Sequence, residues 1–103
     1  MTRKTTTVLL APPADLGATG KALWLKLAGA YKVDDEHGQT VLALACRAAD
    51  REQACRRQIE HDGVSVRDKW NQVKPHPLLA AERDARSQVL AALRALSLPI
   101  PEA

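Results

Sequence analysis

The sequence predicts a mainly α-helical protein, and three observations support this fold class. Eighteen of the 103 residues are alanine, which has the highest helix propensity of any residue. Apolar residues recur at helical spacing in three segments, which predicts helices at about 17–32, 35–62 and 77–96. Between the last two segments the spacing changes to alternation, as in Val-Ser-Val-Arg after Gly63. This change predicts a short extended segment or β-hairpin at 64–74.

A chain of this length fits one domain, which we expect to span residues 15–98 as a helical oligomerisation domain. Residues 1–14 contain threonines and prolines without helical periodicity, which predicts a flexible N-terminal tail. Pro99 and Pro101 end the third helix and leave a short C-terminal tail at 99–103. The net charge of +3 permits binding to a polyanion without requiring it.

The second helix is the longest, and its two halves differ in polarity. Asp34 or Asp35 can cap its first turn, and Gly63 can end it. From Val41 to Ala49 only Arg47 is strongly polar, so this half is apolar on nearly all sides. A helix that is apolar all round is buried on more than one side, which predicts that a second molecule, and not only this chain, covers it.

The expected subunit interface combines this half with the apolar stripes of the first and third helices. Its candidate residues are Leu23, Trp24, Leu27, Val41, Leu42, Ala45, Ala48, Leu90 and Leu93.

The predicted hairpin carries the densest basic cluster outside the second helix, together with a tryptophan near its tip. An exposed loop tryptophan more often anchors a protein partner than takes part in catalysis, so Trp70 is a candidate partner contact. Lysine and arginine side chains can contact DNA phosphates, whereas Arg47 and Arg51 on the second helix could equally belong to a solvated face. The candidate DNA-binding residues are Arg3, Lys4, Arg67, Lys69, Lys74, Arg47 and Arg51.

Catalytic, metal and redox chemistry find no support in the sequence. His37 and His61 lie roughly 36 Å apart along the predicted helix, too far to share a metal ion. Cys46 and Cys55 fall on opposite faces of that helix, so they cannot form a disulfide within it. No nucleophile with a base and no glycine-rich phosphate loop is present, and no stretch is apolar enough to span a membrane. We expect a soluble cytoplasmic protein without enzymatic activity, metal or cofactor.

Several linked motifs resemble the small subunit of a tailed-phage terminase. They are LGATGKALW in the first helix, ACRAADR in the second, the Asp-Gly turn after it, and VKPHPLLAAERDARSQVLAALRALSLP. The resemblance implies a DNA-packaging factor without enzymatic activity, working in the cytoplasm of a bacterial host. It also implies a ring of identical subunits that engages double-stranded viral DNA and recruits the large subunit, which carries the ATPase and nuclease.

The chain departs from that family in its N-terminal region. Many members carry a separate N-terminal helix-turn-helix domain, and about fourteen residues before the first helix are too few for one. We therefore expect weak DNA binding of low specificity, and a short form of this kind could belong to a prophage or a gene transfer agent. Two alternatives stay open: a small helix-turn-helix DNA-binding regulator, and an adaptor that binds a protein partner without DNA.

Overall fold

The computed structural model describes residues 11–31, 33 and 35–96, and it confirms the predicted mainly helical fold with a small hairpin. All helix boundaries lie within two residues of those predicted. The elements in chain order are α1 (Ala18–Ala30), α2 (Glu36–Asp62), β1 (Ser65–Arg67), β2 (Val73–Pro75) and α3 (Leu78–Ala95).

Both ends of α2 are formed by the residues expected from the sequence. Asp35 is the N-cap, and its Oδ1 accepts a hydrogen bond of 3.2 Å from the backbone N–H of Gly38. Gly63 ends the helix with a φ of 89°, a left-handed conformation that costs little only in glycine. Asp34, the other expected cap, lies outside the described residues.

The core forms where α1 and α3 pack against two sides of α2. Leu42 and Cys46 of α2 are fully buried, and Leu93 of α3 is 2% exposed. The chain itself thus covers most of the apolar half of α2, and the additional cover predicted from a second molecule stays a prediction. Alanines at Ala45 and Ala48 are buried on α2 as well, and side chains this small permit close helix packing. Of the apolar residues in this half only Leu44 is exposed, at 57%.

The first helix is attached to α2 through a carboxylate from the middle of that helix. The side chain of Asp50 accepts hydrogen bonds from the backbone N–H groups of Gly17 (2.8 Å) and Gly20 (2.7 Å) at the start of α1. These N–H groups have no partner within their own helix, and the carboxylate also faces the positive end of the α1 dipole. A Cβ at Gly20 would lie 2.8 Å from the carbonyl oxygen of Cys46, so glycine there allows the close approach.

The two short strands form an antiparallel hairpin at the end of α2, with Ser65 opposite Pro75 and Arg67 opposite Val73. The molecule is elongated, with extents of 66 × 24 × 21 Å. None of the helices in the described part of the chain is both long and apolar enough to cross a bilayer. Within the same residues, no group of three or more histidine, cysteine, aspartate or glutamate side chains could hold a metal ion.

Candidate nucleic-acid interface

The tip of the hairpin is a turn organised by one aspartate. The Oδ1 atom of Asp68 accepts hydrogen bonds of 2.9 Å from the backbone N–H groups of both Trp70 and Gln72. The backbone of Asp68 adds two more bonds, donating to the carbonyl of Gln72 and accepting from the N–H of Asn71. Asn71 has a φ of 62°, which asparagine tolerates better than most residues. Five residues are therefore held in one conformation without a packed core around them.

Three cationic side chains and the exposed Trp70 surround this turn. Lys74 lies 3.1 Å from the Oδ2 of Asp68, and Arg67 donates to the carbonyl oxygen of Asn71 at 2.9 Å. The Nζ of Lys69 lies 4.5 Å from the centroid of the Trp70 ring, within cation–π range. The indole is 67% exposed. The hairpin thus brings Arg67, Lys69 and Lys74 to one turn, with Lys69 against the Trp70 ring.

Hydrogen bonds to Asp68 favour its charged form, and the same bonds hold the turn closed. The N–H of Gln72 is the main cause that lowers the pKa of the Asp68 carboxyl, and Lys74 and the N–H of Trp70 add to it. With one negative and three positive charges, the tip keeps a surplus of positive charge. Such a surface attracts phosphate groups.

The base of the hairpin is fixed by a second carboxylate, Asp62, at the last residue of α2. Its oxygens accept from Gln58 Nε2 at 2.8 Å and lie 2.9 Å from a ring nitrogen of His61 and of His76. These hydrogen bonds lower the pKa of Asp62 well below the usual range for an aspartate, with that from Gln58 contributing most. One side chain therefore ties the end of α2 to the start of α3.

His76 completes this junction between the hairpin and α3. Its ring is 5% exposed, and its Nδ1 accepts a hydrogen bond of 3.0 Å from the backbone N–H of Leu78, the first residue of α3. Because Nδ1 accepts, the proton must be on Nε2, which donates to Asp62. The backbone N–H of His76 also donates to the carbonyl of Val64. His76 therefore caps α3 while closing the hairpin.

The other candidate DNA contacts lie elsewhere. Arg47 and Arg51 are exposed on α2, where Arg47 pairs with Asp15 at 2.8 Å and Arg51 donates to Gln88 at 2.9 Å. Arg47 and Arg51 border a groove of about 430 Å³ between α2 and α3. The structure does not bring them to the hairpin, and Arg3 and Lys4 lie outside the described residues. Their role in DNA binding stays a prediction.

The nine candidate interface residues divide by burial within the single chain. Six are in the core of the subunit itself: Trp24, Leu27, Leu42, Ala45, Ala48 and Leu93. Leu23, Val41 and Leu90 are half-buried, so they keep surface that a second copy could contact. Whether a second copy does so stays a prediction.

Sequence reasoning missed the residues that hold the site in place. Asp50, Asp62 and His76 act on partners that are distant in sequence or that meet only once the hairpin closes. Asp68 gave a usable signal, because an aspartate three residues before an asparagine is typical of a turn. The cationic residues themselves were visible as a local excess of charge.

Comparison with known proteins identifies a family. A family model described as phage terminase, small subunit, matches residues 20–100. No curated protein and no solved structure matches the chain. The matched region contains α2, the hairpin and α3 in full, and α1 from its third residue.

Proposed function

Because this chain belongs to the phage terminase small-subunit family, we propose that it forms a ring that engages viral DNA and recruits the large terminase subunit. Membership of the family assigns the chain a general role in phage DNA packaging, and the family is in general not catalytic. The ring, the contact with DNA and the contact with the large subunit are the parts that we propose. We propose that the protein acts in the cytoplasm of the bacterial host.

The hairpin tip is the observation that supports DNA engagement. Arg67, Lys69 and Lys74 are exposed on a turn fixed by Asp68, so binding a phosphate costs little further ordering of the backbone. Lysine and arginine side chains can bind phosphate groups whatever the base sequence. We therefore propose binding to the DNA backbone, which is weak, sensitive to salt and nearly independent of sequence.

Measurement of DNA affinity by fluorescence anisotropy, across a series of salt concentrations, tests this proposal. The variant Arg67→Gln/Lys69→Gln/Lys74→Gln removes three cations, and we expect the slope of log K against log salt to fall by roughly 3. The matched control is Lys21→Gln/Lys26→Gln/Arg94→Gln, which removes the same charge from exposed positions on α1 and α3. Equal losses in the two variants would show that only net charge matters.

The N-terminal pair Arg3 and Lys4 is part of the same proposal. If DNA retention is unchanged after both residues and all three hairpin cations have been neutralised, the chain does not bind DNA through these groups.

Tight binding to one short duplex that is lost on scrambling its sequence would instead favour a helix-turn-helix regulator. The negative Asp35 and Glu36 at the start of α2 disfavour that alternative, because a recognition helix meets DNA with its first turn.

The ring is tested by the mass of the protein in solution. We expect a closed oligomer at micromolar concentration, and a uniform monomer would exclude it. Half-buried Leu90 is a suitable place to break the contact, because Leu90→Glu puts a charge on surface that the subunit leaves partly open. Ala45 and Ala48 are unsuitable, since both are buried within one subunit and a charge at either would disrupt its own packing.

Trp70 supports recruitment of the large subunit. Large, exposed aromatic side chains are frequent anchors of protein interfaces. We expect Trp70→Ala to weaken binding of the large subunit at least tenfold in a pull-down titration while the circular dichroism spectrum stays unchanged. If Trp70→Ala binds the large subunit with full affinity, the large subunit contacts another part of the molecule. Loss of large-subunit binding without any DNA binding by the parent protein would favour the adaptor alternative.

A further inference from the structure

The two strands of the hairpin differ in what their outer sides offer to a further strand. Among residues 11–31, 33 and 35–96, the sheet contains only β1 and β2, so each strand has one side without a neighbouring strand. Pro75 of β2 has no backbone N–H, which leaves the outer side of β2 short of one donor. β1 contains no proline. The outer side of β1 is therefore the better template for strand pairing.

The hydrogen bonds of the hairpin show which backbone groups of β1 point outward. The N–H of His76 donates to the carbonyl of Val64 at 2.8 Å, so these two residues form a hydrogen-bonded pair. Hydrogen-bonded and non-hydrogen-bonded pairs alternate along antiparallel strands. Ser65 and Arg67 therefore belong to non-hydrogen-bonded pairs with β2, and their N–H and C=O groups point away from it. Both residues are exposed, and we call these four outward groups the β1 edge.

The alternation of donors and acceptors on the β1 edge matches a polypeptide backbone better than it matches DNA. A phosphate group only accepts hydrogen bonds, so it would be repelled by the two outward carbonyl oxygens. An extended peptide supplies a C=O for each N–H and an N–H for each C=O, as in recognition by strand addition. The backbone of β1 therefore favours a protein partner in extended conformation.

The side chains beside the β1 edge indicate the composition of that partner. Arg67 lies on one face of β1, and Lys69 follows two residues later. The charge of Asp68 between them is engaged within the turn by backbone N–H groups. Val64, which is 66% exposed, and Val66 lie on the opposite face, because successive side chains of a strand alternate. A strand with carboxylates on the Arg67 face and apolar side chains on the other face complements both.

We propose that the β1 edge binds an extended acidic segment of a protein partner as a third, antiparallel strand in which acidic and apolar residues alternate. Directly opposed residues of antiparallel strands have their side chains on the same face, so the acidic residues are those that bond to Ser65 and Arg67. The proposal depends neither on a ring nor on DNA binding. If the hairpin also binds DNA, the segment and DNA compete for Arg67.

Binding of short synthetic peptides to the full chain tests strand addition. The probe is fluorescein-labelled Glu-Val-Glu-Val-Glu-Val, titrated by fluorescence anisotropy. Methylation of the glutamate backbone nitrogens removes the N–H groups that face the β1 edge, whereas methylation of the valine nitrogens removes those that face away. We expect roughly tenfold weaker binding after the first change and less than about twofold after the second. Equal affinities for the two methylated peptides, or no binding of the unmodified one, would overturn the proposal.

The acidic character of the partner is tested by the same titration with Lys-Val-Lys-Val-Lys-Val. Lysine side chains would be repelled by Arg67 and Lys69, so we expect binding to be at least about tenfold weaker than that of the glutamate peptide. Equal binding of the two peptides would contradict an acidic partner.

A variant of the protein tests the β1 edge from the other side. Ser65→Pro removes one outward N–H and no bond to β2, and Pro75 directly opposite already places a proline ring at this level of the hairpin. The matched control is Ser65→Ala, which keeps the N–H. We expect Ser65→Pro to weaken binding of the glutamate peptide roughly tenfold and Ser65→Ala to weaken it less than about twofold.

Two further measurements on Ser65→Pro separate the other possible occupants. We expect its affinity for duplex DNA and its mass in solution to equal those of Ser65→Ala. Lower DNA affinity would overturn the proposal by assigning the β1 edge to DNA, and a lower mass would overturn it by assigning the edge to a second copy of the chain. The methylated peptides use the unaltered protein, so they decide the question even if Ser65→Pro distorts the hairpin.

Discussion

The helical body and the hairpin of this protein are held together in different ways. The body, α1 with α2 and α3, is stabilised by buried apolar side chains such as Leu42 and Leu93. In the hairpin, every residue of β1 and β2 except half-buried Val66 is exposed. Its shape depends on hydrogen bonds to the carboxylates of Asp68 at the tip and Asp62 at the base.

This difference separates stability from binding. Loss of apolar contacts should unfold the body, whereas exposed side chains at the tip can change with little effect on folding. The contacts proposed for Arg67, Lys69, Lys74 and Trp70 lie in the hairpin, so we expect substitutions of these residues to leave the body intact. The following predictions test this separation, from the largest expected effect to the smallest.

Truncation of Leu42 should be the most damaging change. Leu42→Ala opens a cavity beside α1 and α3, and we expect it to lower the free energy of unfolding by about 2–5 kcal/mol. Leu25→Ala is the control, because Leu25 is 53% exposed on the outer face of α1, and it should change stability by no more than about 0.5 kcal/mol. Urea denaturation followed by circular dichroism measures both. Similar losses would mean that the outer face of α1 is also covered.

Two glycines of α1 should respond with opposite signs to the same substitution. A Cβ at Gly20 would clash with the carboxylate of Asp50, whereas one at Gly29 meets nothing within 4 Å. We expect Gly20→Ala to destabilise by about 1–3 kcal/mol, through overpacking and loss of the Asp50 contact. Gly29→Ala should stabilise by about 0.5–1 kcal/mol, because alanine favours the helix. A shared sign in thermal unfolding would contradict the close approach of α1 to α2.

Acid should weaken the base of the hairpin through Asp62. Its pKa is lowered in the folded protein, so its contribution to stability is complete above its unfolded pKa of about 3.9. That contribution is lost as the pH falls toward the folded value. Asp62→Asn should be less stable than the parent at pH 6, and the difference between their urea midpoints should shrink at pH 2.5. Asp84→Asn, an exposed change on α3 that leaves the hydrogen bonds of Asp62 in place, is the control.

The fluorescence of the two tryptophans distinguishes the helical body from the hairpin, and it requires only conservative substitutions. Trp24 is 4% exposed in the body and Trp70 is 67% exposed at the tip. We expect acrylamide to quench Trp70→Phe, which retains Trp24, several-fold less than Trp24→Phe, which retains Trp70. If DNA or the large subunit binds the tip, it should protect only the second variant from quenching. Comparable quenching in both free variants would show that the tip is covered.

Local sequence patterns predicted the elements well, because helical spacing, Gly63 and the prolines around His76 act over a few residues. The same patterns could not predict how the apolar half of α2 is covered. That depends on the approach of α1 and α3, which the alanines of α2 allow and no local pattern reports.

In the candidate site, charge revealed Arg67, Lys69 and Lys74, because an excess of cations is visible in the sequence itself. The groups that position them were not visible in the same way. Asp62 and His76 are fourteen residues apart and meet only when the hairpin has folded. The same limit applies to Asp50, which caps a helix that begins more than thirty residues before it.

The contact between Asp50 and the first glycines of α1 also shows which properties a shared sequence motif can predict. LGATG is the segment whose backbone that carboxylate binds, and HPLL contains the histidine that caps α3. The LGATG and HPLL motifs, on which the family resemblance rests, thus both hold helices in place. Neither contains a residue of the basic hairpin tip. A relative that shares both motifs is therefore expected to share the packing of α1 on α2 and the start of α3. Its DNA or protein contacts would have to be established separately from the residues of its own hairpin.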